Sequence, residues 1–182
     1  KKNFLKSESI FRNILNKDPK NYELYTYLIP SLISQNKLDY ALKYSLKFFD
    51  VSVGHRKTSL IYLGIIFQML NRLTESADYF HQSLKFDPDN YHTLMNLGLT
   101  YHKLKDNKKA IKYTRKSIDI NKNNSLAYQN IASYLEDENK LDEAIVYLKQ
   151  ALTINNNDYD SLHALSLLQL LKLDYSNGLR NY

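Results

Sequence analysis

Histidine, cysteine and glycine build most metal, nucleophilic and phosphate-binding sites, and this sequence offers few of them. No two of its five histidines stand four residues apart around a glutamate, which is the spacing of a zinc-binding helix. Its four glycines are isolated and form no phosphate-binding loop, and the lack of cysteine excludes disulfides and thiolate ligands. We therefore expect no catalytic residue, cofactor or metal ion in this segment. The histidines are His55, His81, His92, His102 and His163.

Positive charge is the second chemical signal. The formal net charge is +6, and lysine and arginine are densest in residues 103–116. A basic helical face is expected there, and such a face could bind phosphates or carboxylates. Many of the 16 tyrosines occupy repeat positions that are expected to face the core or a neighbouring helix, and we expect no stacking stripe of tyrosines among these lysines. We therefore prefer a solvated face, and binding of RNA or an acidic surface is the alternative. The face consists of Lys108, Lys112, Arg115 and Lys116.

The helices that carry these side chains repeat every 34 residues. This step aligns the large residues Leu60, Leu94, Tyr128 and Leu162, and the small residues Gly64, Gly98, Ala132 and Ser166. Within each period, apolar residues spaced by three and four predict two amphipathic helices. A single helix pair cannot bury its apolar face, whereas stacked pairs form a continuous core. The sequence therefore predicts an all-α solenoid, in which Gly98→Leu would overpack a helix crossing.

The same period divides the chain, which we expect to form one array over residues 1–182. Complete helix pairs are expected at residues 22–56, 57–90, 91–124 and 125–158. Residues 1–21 are interpreted as the second helix of a truncated repeat, and residues 159–182 as the start of another. Because the chain begins without methionine and stops within an apparent helix, we expect it to be part of a longer protein. Self-association through apolar faces at its ends is a further expectation.

These repeats resemble the tetratricopeptide repeat family, whose unit is a 34-residue antiparallel helix pair. The closing proline of the family pattern stands at Pro19 and Pro88, whereas its leading tryptophan is absent from this sequence. The resemblance implies a right-handed superhelix whose first helices line a concave groove that holds a peptide. It also implies that the basic run lies on the outer face. We accordingly expect a protein-binding scaffold in the cytoplasm.

The resemblance places the groove on this sequence. The middle of the groove is apolar and its flanks are polar, which suits an amphipathic or mostly apolar peptide. Methionine would adapt there to irregular side chains. The alternative is that the same residues are buried by tight packing or by a missing repeat. The predicted groove, which His163 and Leu167 would extend, consists of Thr26, Ile61, Ile65, Met95, Asn96, Leu99, His102, Gln129, Asn130 and Ser133.

Two resemblances to subfamilies bear on the larger protein. Asn96 and Asn130 match an asparagine ladder in the arms of O-linked N-acetylglucosamine transferases, and residues 170–182 resemble the last repeat before a glycosyltransferase-like domain. They imply a second hypothesis, a substrate-recognition arm whose chemistry lies beyond Tyr182. The clamp for acidic chaperone C-termini is not favoured, since only Asn96 fits it.

No membrane span is expected, because the longest apolar run, residues 60–70, is shorter than the roughly 20 residues required.

Overall fold

The computed structural model describes residues 10, 11, 13–52 and 54–178, and it describes side chains as far as residue 172. The expected segments at residues 1–21 and 170–182 therefore lie partly outside the described residues. All regular secondary structure in the described part is helical, which confirms the predicted all-α class. After helical turns at residues 13–17, the helices are α1 Tyr22–Ser34, α2 Leu38–Val51, α3 Arg56–Met69, α4 Leu73–Phe86, α5 Tyr91–Lys103, α6 Asn107–Ile120, α7 Ser125–Asp137, α8 Leu141–Ile154 and α9 Tyr159–Gly178.

The chain forms two compact units, Lys1–Pro88 and Asp89–Tyr182. The first unit contains α1 to α4, and the second contains α5 to α9. Within the units, α1 packs on α2, α3 on α4, α5 on α6 and α7 on α8, so consecutive helices form the predicted pairs. The expectation of one continuous array through both units stays a prediction.

A residue with left-handed backbone reverses the chain between the two helices of each pair. The φ angles of Asn36, Asn71, Lys105 and Asn139 lie between 55° and 64°. At Lys105, the backbone N–H donates to the His102 carbonyl at 2.8 Å, and the following N–H of Asp106 donates to the Tyr101 carbonyl at 2.9 Å. These bonds satisfy carbonyls at the end of α5. Asparagine tolerates this conformation better than other residues with a side chain, so Lys105 is the exception among the four.

The core of the first unit is formed by the inward faces of α1, α2 and α3. The rings of Tyr25 and Phe48 stack with their centroids 5.0 Å apart, and the Tyr25 hydroxyl donates to the Pro19 carbonyl at 3.2 Å. Aromatic pairs of this kind contribute packing beyond the area they bury. The buried residues of this core are Leu15, Tyr25, Leu28, Ile29, Leu32, Ala41, Tyr44, Phe48 and Ile66.

Small residues lie where the two helices of a pair cross. A Cβ atom added to Gly98 in α5 would lie 2.1 Å from the Thr114 hydroxyl oxygen and 3.0 Å from the Ala110 carbonyl oxygen. In the first unit, a Cβ on Gly64 would lie 2.6 Å from the ring of Phe80. These distances are shorter than ordinary van der Waals contacts, so both crossings require a residue without a side chain.

Serine hydroxyls tie second helices to first helices at the repeat spacing. The Ser83 hydroxyl donates to the Lys57 carbonyl at 3.3 Å, and 34 residues later the Ser117 hydroxyl donates to the Tyr91 carbonyl at 2.8 Å. The two acceptors lie in the first turns of α3 and α5. Each bond satisfies a polar group within the pair, so both helices are fixed in the same relative register.

The core of the second unit includes a cluster formed by α7, α8 and α9. Along α9, Leu168 is buried, whereas 42% of the Leu162 surface is exposed. Leu60 and Leu94, which occupy the aligned position, are both buried. The side of α9 that carries Leu162 is therefore less covered than the aligned position of the earlier first helices. The buried residues of the cluster are Ile131, Ala132, Leu135, Ala144, Leu148 and Leu168.

Candidate peptide-binding site

The predicted groove residues all lie in first helices and all remain accessible. Nine of the ten are partly buried, and Ser133 is exposed. Thr26 lies in α1, Ile61 and Ile65 lie in α3, and the remaining seven lie in α5 and α7 of the second unit. The periodicity explains the accessibility, because the intervening Leu97 and Gly98 point to the helix crossing and are buried.

In the first unit, Thr26 is held by structural hydrogen bonds. Its hydroxyl donates to the Glu23 carbonyl at 2.7 Å, and its own carbonyl accepts the Tyr62 hydroxyl at 3.4 Å. Burial raises the pKa of Tyr62, so this phenol remains a neutral donor. The Thr26 hydroxyl is thus bonded within α1 and its carbonyl joins α1 to α3, while Ile61 and Ile65 supply an apolar surface.

In the second unit, His102 is fixed between three helices. Its ring stacks on Tyr134 with centroids 4.4 Å apart, and its Nδ1 lies 3.0 Å from Asn107 Oδ1 and 3.7 Å from an Asp137 carboxylate oxygen. The Asn107 amide nitrogen donates to the Tyr134 carbonyl at 3.3 Å, which directs Oδ1 towards the histidine. An oxygen accepts only, so the neutral His102 must carry its proton on Nδ1. Its Nε2 is then an acceptor.

A cleft of about 270 Å³ opens where α7 faces α9. The Gln129 amide nitrogen donates to the Ser161 hydroxyl at 2.8 Å and to the Asp158 carboxylate, and Asp158 also accepts the Ser161 N–H at 3.3 Å. Gln129 therefore links α7 to the first turn of α9. The cleft brings together three predicted groove residues, and its lining is Gln129, Asn130, Ala132, Ser133, Glu136, Leu148, Asp160, Ser161 and Ala164.

Sequence reasoning missed the acidic wall of this cleft. Glu136 lies in α7 and Asp160 in α9, and neither was among the predicted groove residues. A signal was present for Glu136, because Gln129, Ser133 and Glu136 follow one another at intervals of four and three and share a helical face. No comparable signal marks Asp160, which comes from a different helix. Asn96, which forms the predicted asparagine ladder with Asn130, is half-buried in α5.

Two tyrosines lie beside the lysines of α6, and the expectation that tyrosines form no stacking stripe among these lysines stays a prediction. The rings of Tyr101 and Tyr113 stack with centroids 5.4 Å apart and planes 9° from parallel. Lys109 places its ammonium 5.0 Å from the centre of the Tyr101 ring. Both tyrosine rings are partly buried at the edge of the α5–α6 pair, and Lys109 is exposed.

No group of three or more histidine, aspartate or glutamate side chains in the described part of the chain is arranged to hold a metal ion. Among residues 10, 11, 13–52 and 54–178, no helix has the length and apolar character needed to cross a membrane.

Residues 92–124 and residues 126–158 each match a sequence model of the family described as Tetratricopeptide repeat. These two segments are tetratricopeptide repeats. The two matched tetratricopeptide repeats contain the seven predicted groove residues of α5 and α7. A comparison with curated proteins finds no matching sequence.

Solved structures share this tetratricopeptide fold. The crystal structure of MamA aligns at 23% identity with a TM-score of 0.74, over 86% of this chain and 91% of that one. YrrB, described as a TPR protein with an unusual peptide-binding site, aligns at 21% identity with a TM-score of 0.67, over 90% and 84%. The first TPR of Spaghetti (RPAP3), bound to HSP90 peptide SRMEEVD, aligns at 19% identity with a TM-score of 0.61, over 64% and 93%.

Proposed function

We propose that this protein is an interaction scaffold that binds a peptide or a segment of a partner protein along the groove residues of its first helices. One observation carries the proposal. The seven predicted residues of α5 and α7 all keep accessible surface, and three of them line a cleft to which α7, α8 and α9 all contribute. Concave sites with a mixed apolar and polar lining are the usual places for ligands.

The chemistry of these residues suits an amphipathic segment. Met95 and Leu99 stand one turn apart on α5 and give an apolar contact that adapts to different side chains. Asn130 lines the cleft with an amide, which both donates and accepts hydrogen bonds. Such a group can bind a peptide backbone without selecting its sequence. The scaffold role requires no catalytic group.

Two structural relatives support peptide binding as the class of activity. YrrB is described as having a peptide-binding site, and the RPAP3 repeat is bound to a peptide. We propose that the repeats act as units bounded at residues 22–56, 57–90, 91–124 and 125–158, with the second unit of the chain providing most of the contact. The partner is expected to present apolar side chains to α5 and polar groups to α7.

The proposal can be tested by selecting peptides from a random display library against the purified chain. Met95→Lys combined with Leu99→Glu is expected to abolish binding of the selected peptides. Ile120→Lys combined with Val146→Glu is the matched control, because these apolar residues are exposed on α6 and α8 away from the predicted groove. Far-UV circular dichroism checks that both variants fold. Selected peptides that bind the first variant as well as the unchanged chain would place the site elsewhere.

A further inference from the structure

The positive charge of this protein is concentrated in one repeat. Residues 91–124 contain eight lysine and arginine residues and two aspartates, a net charge of +6, which equals the net charge of the whole chain. The next repeat, residues 125–158, contains two lysines and six acidic residues, a net charge of −4. Two successive helix pairs thus carry strong net charges of opposite sign, positive in residues 91–124 and negative in residues 125–158.

Three exposed cations form a line along α6. Lys108, Lys112 and Arg115 follow at intervals of four and three residues, so they lie on one side of the helix. We call them the α6 ladder. No carboxylate of the described residues lies within ion-pair distance of any of the three. Asp106 and Asp119 lie near the ladder without forming an ion pair with it, so the three cations keep charge that no direct ion pair neutralises.

Two other cations of α6 have partners. Lys109 pairs with Asp106 at 2.9 Å, and Lys116 lies 3.9 Å from Asp89. Within α6, the cations that form ion pairs are therefore distinct from the three cations of the ladder. A cleft of about 460 Å³ runs beside the ladder and gives space for a ligand. Its lining is Lys108, Ile111, Lys112, Tyr113, Arg115, Lys116 and Asp119.

Tyrosines restrain two of the three ladder cations. The Arg115 Nε donates to the Tyr147 hydroxyl at 3.1 Å, and its guanidinium lies 6.0 Å from the centre of that ring. Lys112 places its ammonium 5.9 Å from the centre of the Tyr113 ring. Cations near aromatic rings lose part of their conformational freedom before a ligand arrives, so less entropy is lost on binding.

The same contacts argue against nucleic acid as the ligand. Single-stranded nucleic acid binds through bases that stack on open aromatic faces. Here Tyr113 is already stacked on Tyr101, and Tyr147 lies against Tyr128 with centroids 6.3 Å apart. A long phosphate backbone would also extend beyond α6, which is only about 20 Å long, towards the acidic repeat that follows.

We propose that the α6 ladder binds a short acidic segment of a partner protein. The ladder cations are separated along the helix axis by about 6 and 4.5 Å. Alternate residues of an extended chain project to the same side about 6.6 Å apart, so a segment with a carboxylate at every second residue can place one carboxylate near each cation. Lysine side chains are flexible enough to absorb the difference. This site is separate from the predicted groove, since it lies on a second helix.

The probe is a fluorescein-labelled peptide of alternating glutamate and serine, titrated with the full chain and followed by fluorescence anisotropy. Binding is expected at low ionic strength and is expected to weaken at high ionic strength, because exposed charges are screened. Replacing the ladder by glutamine, with Lys108→Gln, Lys112→Gln and Arg115→Gln, is expected to lower affinity about tenfold, the combined effect of three exposed ion pairs. A peptide of serine alone should not bind.

A matched control separates the ladder from net charge. Lys103→Gln, Lys122→Gln and Lys149→Gln remove the same charge from exposed lysines outside the ladder. An equal loss of affinity in both triple variants would overturn the proposal, because attraction would then depend on net charge alone. Absence of binding at low ionic strength would also overturn it. Tighter binding of single-stranded oligouridine, lost in the ladder variant, would identify a nucleic-acid surface and refute an acidic protein segment.

Discussion

A single methyl group at Gly98 is expected to disturb the crossing of α5 and α6. The Cβ of Gly98→Ala would lie 2.1 Å from the Thr114 hydroxyl oxygen, where ordinary contact begins near 3.4 Å. It would also lie 3.0 Å from the Ala110 carbonyl oxygen, which belongs to the backbone of α6 and cannot move alone. Part of the strain can be relieved by shifting Thr114, but this side chain is fully buried and branched at Cβ.

Two effects of opposite sign decide the magnitude. Overpacking of a well-packed crossing costs about 1 to 3 kcal/mol. Alanine is about 1 kcal/mol more favourable than glycine inside a helix, which offsets part of that cost. We therefore expect Gly98→Ala to lower the free energy of unfolding by about 1 kcal/mol. Gly98→Leu adds more atoms to the same crossing and is expected to cost the full 1 to 3 kcal/mol or more.

A double-mutant cycle with Thr114→Ala removes the propensity term. Thr114→Ala deletes the nearest clashing atom and by itself costs about 1 kcal/mol, as for a small buried group. Because the helix propensity of alanine is the same in both backgrounds, it cancels in the cycle. The coupling energy then reports the clash, and we expect the double variant to be about 1 to 2 kcal/mol more stable than the sum of the single changes.

Urea unfolding followed by far-UV circular dichroism measures all four proteins of the cycle. Gly54→Ala is the control, because no atom lies within 4 Å of its added Cβ, and this change is expected to be neutral or slightly stabilising. The reasoning fails if Gly98→Ala is at least as stable as the unchanged chain and the cycle is additive within about 0.5 kcal/mol. In that case the crossing would be wider than the structure shows.

Three further predictions concern helix ends in the second unit. Lys105→Asn is expected to raise the free energy of unfolding by up to about 1 kcal/mol in urea titrations, because asparagine tolerates the left-handed conformation better; lower stability would contradict it. Asn90→Ala removes the side chain that accepts the Thr93 N–H at 3.0 Å and is expected to cost about 1 kcal/mol by the same measurement, whereas an unchanged midpoint would show that the cap is dispensable. At Asp106, hydrogen bonds from the Lys109 ammonium and backbone N–H hold the pKa of the carboxyl below its ordinary value of 3.8. The folded state therefore gains stability above that value and loses it as pH falls through the lowered pKa, and Asp106→Asn should flatten the acid limb of melting temperature against pH.

The order of the helices could be predicted from sequence because it depends on local patterns. The 34-residue step identified Gly98 as a small residue at a crossing, and the structure confirms the close approach there. The apolar spacing also predicted two helices in each period, and the turn between α5 and α6 contains Lys105. Its left-handed backbone was not foreseen, because lysine is not typical of that conformation. Local periodicity fixes which residues face inward, but it does not give backbone angles.

The candidate sites were harder to predict because they depend on how neighbouring helices are placed. Asp160 joins Gln129 in one cleft only because α9 lies beside α7. Likewise, Arg115 donates a hydrogen bond to Tyr147, which lies 32 residues later in the sequence. The spacing of residues within one helix cannot predict such a contact. Sequence reasoning could assign each residue to a face of its own helix. It could not tell which faces of different helices meet.

The part of the proposed groove on α5 and the α6 ladder occupy different helices of one repeat, which makes their functions separable. Met95 and Leu99 lie on α5, and the ladder lies on α6, with Gly98 at the crossing between them. Replacing exposed ladder cations removes charge without touching this crossing, so the groove should keep its shape. A bulky residue at Gly98 instead shifts one helix against the other and would alter both surfaces together. Two linked contacts multiply their affinities only when their geometry is preserved. The affinity of a partner that binds the groove and the ladder at once should therefore fall more when Gly98 is replaced than when residues of one surface are replaced.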